Sequence, residues 1–225
     1  MKENEIMPQQ ERLTNKPVKQ STSSSSSAYT TKIPASAWKA LIILGSITTM
    51  TMYAETMLIP AIPDLLKDFH VSYSISSWIL TAYLTTAAVM TPIAGKLSDI
   101  YGKKKVLLTI MLIYAIGVSM AGFSTNIYFL LITRAIQGFG MSVFPIAFSI
   151  VRDKFPREKM SIGNGIISSL IATGAVIGLM VGGTIIRSYG WQVTFFIIIP
   201  IAITSLITIW CFIHIDEQKL GRKRH

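Results

Sequence analysis

Six apolar stretches follow one another between residues 38 and 214, each long enough to cross a bilayer, and this limits the chain to a membrane fold. Helices are expected for all six, because open strands would leave backbone groups unpaired in lipid. At about 20 residues per crossing, the spans fall at about 39–62, 75–97, 104–123, 127–148, 165–186 and 192–214. The expected fold class is therefore all-α, a polytopic six-helix transmembrane bundle over residues 37–215. Residues 1–36 are polar, with the serine tract Ser23–Ser27 and no apolar periodicity, and read as a disordered tail. Residues 216–225 form a basic C-terminal end.

Charge sorts the connections. Of the 21 Lys and Arg residues, the tail and entry to span one hold Lys2, Arg12, Lys16, Lys19, Lys32 and Lys39. The loop after span two holds Lys96, Lys103, Lys104 and Lys105, and the loop after span four holds Arg152, Lys154, Arg157 and Lys159. Lys219, Arg222, Lys223 and Arg224 lie at the C-terminus, whereas the alternate connections hold only Lys67 and Arg187. By the positive-inside rule both termini are expected in the cytoplasm of a multi-pass protein of the cell membrane. The net charge of +10 is thus spread in short clusters between apolar runs, a topology signal that argues against a nucleic-acid partner. The lone Cys211 excludes an internal disulfide framework and a cysteine metal site. The sequence offers no nucleophile–base pair, phosphate loop or metal cluster, so neither an enzyme nor a cofactor nor a metal is expected.

Three local patterns and one acidic residue carry the chemistry. The turn after span two reads GKLSDIYGKKK, where Gly95 and Gly102 suit close approach and a sharp reversal. Asp99 is placed to cap a helix or to pair with Lys103 and Lys104, unless the segment is simply a positive-inside loop. Span four reads RAIQGFGMSVFP and puts Arg134, Gln137, Gly138 and Met141 at helical spacing. A guanidinium inside a span costs about 3 kcal/mol on insertion scales, so Arg134 needs a partner or water, or must snorkel to the outer headgroups. Span five reads GAVIGLMVGG, with Gly174, Gly178 and Gly182 four apart and Gly183 beside them, a face on which a neighbouring helix can pack closely.

Glu55 is the acidic residue well inside span one. At about 1.5 Å per residue it lies about 5 Å beyond the midplane, and Arg134 about 7 Å beyond it on the same side. A carboxyl in such a place can load and release a proton as its surroundings change; the alternative is a permanently neutral group locking two helices. Thr48, Thr51, Met52 and Ile59 share its helix face.

Together these stretches resemble the major facilitator superfamily, and most of all the N-terminal half of its fourteen-span drug/proton antiporters, the tetracycline/proton antiporters among them. The loop signature is matched at Gly95, Asp99, Gly102, Lys103 and Lys104, and the fourth-span signature at Arg134, Gln137, Gly138 and Gly140. The antiporter signature is matched at Gly174, Gly178, Gly182 and Gly183, and Ser77–Leu84 is similar to the subgroup's second helix. Ile100 stands where the family has Arg, and Leu179 where the antiporter signature has Pro.

The resemblance implies one half of a two-bundle transporter built from 3+3 inverted repeats, with small-molecule substrate, protons and lipid as its partners. Glu55 and Arg134 would couple protons, and Asp99 with Lys103 and Lys104 would gate the cytoplasmic side. The span-five glycines would let helices slide, and an apolar cavity would be lined by Thr48, Thr51, Met52 and Ile59 of span one with Gln137, Gly138 and Met141 of span four. Family members carry two six-span bundles, so a second half from another copy or another chain is expected. Two alternatives stay open: a metabolite symporter of the same superfamily, which Leu179 favours, and a truncated product without transport activity.

Overall fold

The computed structural model describes residues 33–212, so the expectations for most of the N-terminal tail and for the basic C-terminal end lie outside the described residues. Six helical segments are long and apolar enough to cross a membrane, as the sequence predicts. The first comprises α1 (Ala35–Thr56), a 3-10 turn (Ile59–Ala61) and α2 (Ile62–Asp68). The second and third are α3 (Tyr73–Tyr101) and α4 (Lys103–Gly122). The fourth joins α5 (Ile127–Gln137), a 3-10 segment (Gly138–Ser142) and α6 (Val143–Lys154). The fifth is α7 (Met160–Tyr189), entered through a 3-10 turn at Arg157–Lys159, and the sixth is α8 (Trp191–Phe212).

Spans one and four differ from expectation in being interrupted. Pro60 lies in the first 3-10 turn and Pro63 in the first turn of α2, where a missing N–H and a fixed φ break the regular ladder. In span four the break begins at Gly138, beside Gly140, two residues of poor helix propensity. Short 3-10 stretches inside long helices of this kind accompany hinges and sites.

Two junctions consist of a single glycine. Gly102 joins α3 to α4 at φ 95° and Gly190 joins α7 to α8 at φ 85°, a backbone region that side chains avoid. The sequence pointed to the first and not the second. Elsewhere His70 takes φ 51° in the turn between α2 and α3. Nearby the Trp191 indole donates to Asp68 (2.9 Å) and packs against Phe69, fastening the end of α2 to the start of α8.

α1 and α7 share the most extensive seam among the described helices. A Cβ at Gly174 would strike the Thr49 backbone, one at Gly178 the Tyr53 and Thr56 atoms, and one at Gly182 Met57. The Thr49 hydroxyl donates to the Leu170 carbonyl (3.1 Å) and the Thr56 hydroxyl to the Ala175 carbonyl (3.0 Å). Lipid supplies no hydrophobic drive between helices, so this combination of small residues and interhelical hydrogen bonds is what holds the two spans together. Gly183 is less confined, with Pro60 at ordinary contact distance.

Candidate functional site

Glu55 and Arg134 each occupy the last turn of a helix just before its interruption, Glu55 in α1 and Arg134 in α5. Helix C-termini gather partial negative charge, which suits the guanidinium of Arg134. Arg134 is 0% exposed, so it does not snorkel outward. Its Nη1 donates to Gln137 Oε1 (2.8 Å), and Gln137 in turn donates to the Gly117 carbonyl on α4 (3.1 Å). The guanidinium carbon stands 4.7 Å over the Tyr83 ring of α3, a cation–π contact.

The cluster is left incompletely paired. Arg134 Nε and Nη2, the Tyr83 and Tyr114 hydroxyls, Ser142 Oγ and Glu55 Oε2 have no hydrogen-bond partner among the described residues. Arg134 acts electrostatically on Glu55, Tyr83 and Tyr114, yet no ion pair within 4 Å joins it to Glu55. Buried polar atoms nearly always find partners, so a group of unpaired ones marks a place where water, a proton or a ligand is handled. Glu55 and Arg134, the two charges that the sequence reading paired, are not in direct contact. Tyr83 stands against Arg134; the sequence stretch Ser77–Leu84 contains it, but a tyrosine in an apolar span carries no spacing that marks a contact with span four.

Other predicted site residues divide. Thr48 and Thr51 are fully buried, with hydroxyls donating to the Gly45 and Ile47 carbonyls of their own helix, so they pack rather than line a cavity. Gln137 and Gly138 are also interior; a Cβ at Gly138 would lie 2.5 Å from the Tyr83 carbonyl oxygen. Met52, Glu55 and Met141 are half-buried, and Ile59 is 42% exposed. Two grooves open elsewhere. One, of about 400 Å³, lies between α1 and α8 beside Ser46 and Pro200, and the other, of about 710 Å³, lies where α1, α7 and α8 meet beside Thr49 and Ile197. Glu55 and Arg134 line neither.

The loop signature also differs from expectation. Lys103 Nζ bonds Asp153 (2.5 Å) and the Ser149 carbonyl (3.1 Å) on α6, and Lys104 Nζ bonds the Trp210 carbonyl on α8 (3.0 Å). The two ammonium groups are thus occupied by other helices, and Asp99 is exposed without an ion-pair or capping partner among the described residues. A Cβ at Gly95 would meet nothing within 4 Å, so Gly95 makes no close approach inside this bundle.

This arrangement, six crossings with a buried guanidinium and an unpaired carboxyl, is accompanied by a match of the Major Facilitator Superfamily family model to residues 44–225, well over half of the chain. The chain belongs to the Major Facilitator Superfamily. Among curated relatives it is 33% identical over 171 residues to Multidrug resistance protein 3 of Bacillus subtilis (strain 168), covering 75% of this chain and 33% of that protein. It is 38% identical over 135 residues to Vacuolar basic amino acid transporter 2 of Saccharomyces cerevisiae (strain ATCC 204508 / S288c), covering 60% of this chain and 28% of that one. The fold matches a bacterial homolog of the human lysosomal transporter Spinster in an inward-facing, unoccupied conformation. That match has a TM-score of 0.70 at 20% identity and covers 79% of this chain and 43% of the other. The chain spans about a third of the length of the curated relatives it matches.

Proposed function

We propose that this superfamily bundle serves proton-coupled efflux of small drug-like compounds, as the N-terminal six-span part of a two-bundle assembly. The observation that carries the reading is the pairing of a fully buried, under-bonded Arg134 with a half-buried Glu55 whose Oε2 is unpaired. In this reading Glu55 takes up the proton, and Arg134 sets how readily it is released when substrate or water enters. The half-buried Met52 and Met141 offer the adaptable apolar contacts that loose recognition needs.

Lys103 and Lys104 tie α4 to α6 and α8, which leaves the Asp99 carboxylate free to meet a partner outside this bundle as a gate. That partner belongs to a second half, supplied by further sequence, another chain or a second copy. The charge asymmetry of the loops supports a cell-membrane location with both termini in the cytoplasm. The similarity to a multidrug resistance protein supports a drug-like substrate. A second reading, transport of a metabolite, is supported by the similarity to a basic amino acid transporter and by Leu179 in the fifth-span motif.

The test is Glu55→Gln in vesicles holding a functional assembly. Drug-linked proton uptake should fall at least about a hundredfold, the scale of losing a positioned acid–base group. Uptake at the wild-type rate would exclude the proton role of Glu55.

A further inference from the structure

The Arg134 guanidinium is held from α3 by an aromatic residue to which the sequence motifs give no role. Tyr83 on α3 is 1% exposed, and its ring lies under the guanidinium at 4.7 Å. Its hydroxyl has no hydrogen-bond partner among the described residues, so the ring and not the hydroxyl does the holding. Tyr114 on α4 is also 1% exposed.

The span-four glycines explain how these rings reach their places. A Cβ at Gly138 would stand 2.5 Å from the Tyr83 carbonyl oxygen, so its absence lets α3 approach at the residue that carries the cation–π ring. A Cβ at Gly140 would stand 2.5 Å from Tyr114 Cδ2 and 3.0 Å from its Cε2, so its absence leaves room for the second ring. Gln137 closes the third side through Arg134 Nη1 and the Gly117 carbonyl.

We propose that Tyr83 is a positioning residue that holds the Arg134 guanidinium as a fixed charge, with Gly138 setting the distance at which its ring stands. The ring of Tyr83 restrains the cation from α3, and Gln137 restrains it through Nη1. This inference deepens the proton-coupling reading and rests on it only for its consequence, not for the restraint itself.

The experiment follows the Arg134 Nε–H by nitrogen-15 NMR in the full chain in nanodiscs, with the signal assigned by its loss in Arg134→Lys. Hydrogen exchange should be slow in the wild type and equally slow in Tyr83→Phe, which keeps the ring. Fluorinating that phenylalanine weakens the ring's attraction for a cation without changing its shape, and exchange should then quicken stepwise. In Tyr83→Leu it should quicken at least about tenfold, the scale of a desolvated cation–π contact. Exchange unchanged across the fluorinated series would overturn the role of Tyr83. The proton reading fails separately: if Glu55→Gln leaves uptake intact while the fluorine series behaves as described, positioning stands and coupling falls.

Discussion

The seam between α1 and α7 and the cluster around Arg134 are built from the same two spans' worth of materials, small residues and polar side chains, to opposite ends. Along the seam three glycines admit the α1 backbone, and the Thr49 and Thr56 hydroxyls each reach a carbonyl of the facing helix. Around Arg134, glycines again admit neighbouring helices, yet Arg134 Nε and Nη2 and the Tyr83 hydroxyl are left without partners among the described residues, as is Glu55 Oε2. A seam with its bonds made has nothing to gain from moving. A cluster with donors and a carboxyl oxygen unpaired changes energy whenever a proton, water or ligand arrives. The difference separates the part of the bundle that holds shape from the part that does chemistry.

That contrast can be broken or sharpened by substitution. The largest effect is expected at the seam: Gly178→Leu drives side-chain atoms into the Tyr53 and Thr56 positions of α1. Backbone there cannot yield as a side chain can, so unfolding in detergent should show a loss of about 3 kcal/mol or more. Thr56→Val keeps the shape and removes the hydroxyl that reaches Ala175, and should cost about 1 kcal/mol in the same assay. Gly95→Ala meets nothing within 4 Å and should leave bundle stability within about 0.5 kcal/mol. A large loss at Gly95, or none at Gly178, would reverse the assignment of which glycines bind helices together.

The sequence made the seam legible because its cause is local: three glycines at a fixed spacing need only a helix to form a face. A depth for Glu55 and for Arg134 follows from the sequence in a similar way, since residue counts from charged flanks convert into height. The two breaks were not foreseen, although Pro60, Pro63, Gly138 and Gly140 were in plain view, because their effect depends on whether neighbouring spans support the released backbone. Lys103 and Lys104 were assigned to the nearest acid in sequence, Asp99, whereas packing delivers Asp153 and the ends of α6 and α8. Tyr83 and Tyr114 emerge only when three helices are assembled.

The central claim is that Glu55 is a working carboxyl and not a fixed structural group. Infrared spectroscopy of the chain in nanodiscs, with the Glu55 band identified by its disappearance in Glu55→Gln, reads its protonation directly. The account predicts that this band appears and vanishes reversibly between about pH 4 and pH 10, and that its midpoint moves when Arg134 is replaced by Gln. A band that keeps one protonation state across the whole range, with or without the guanidinium, would contradict it.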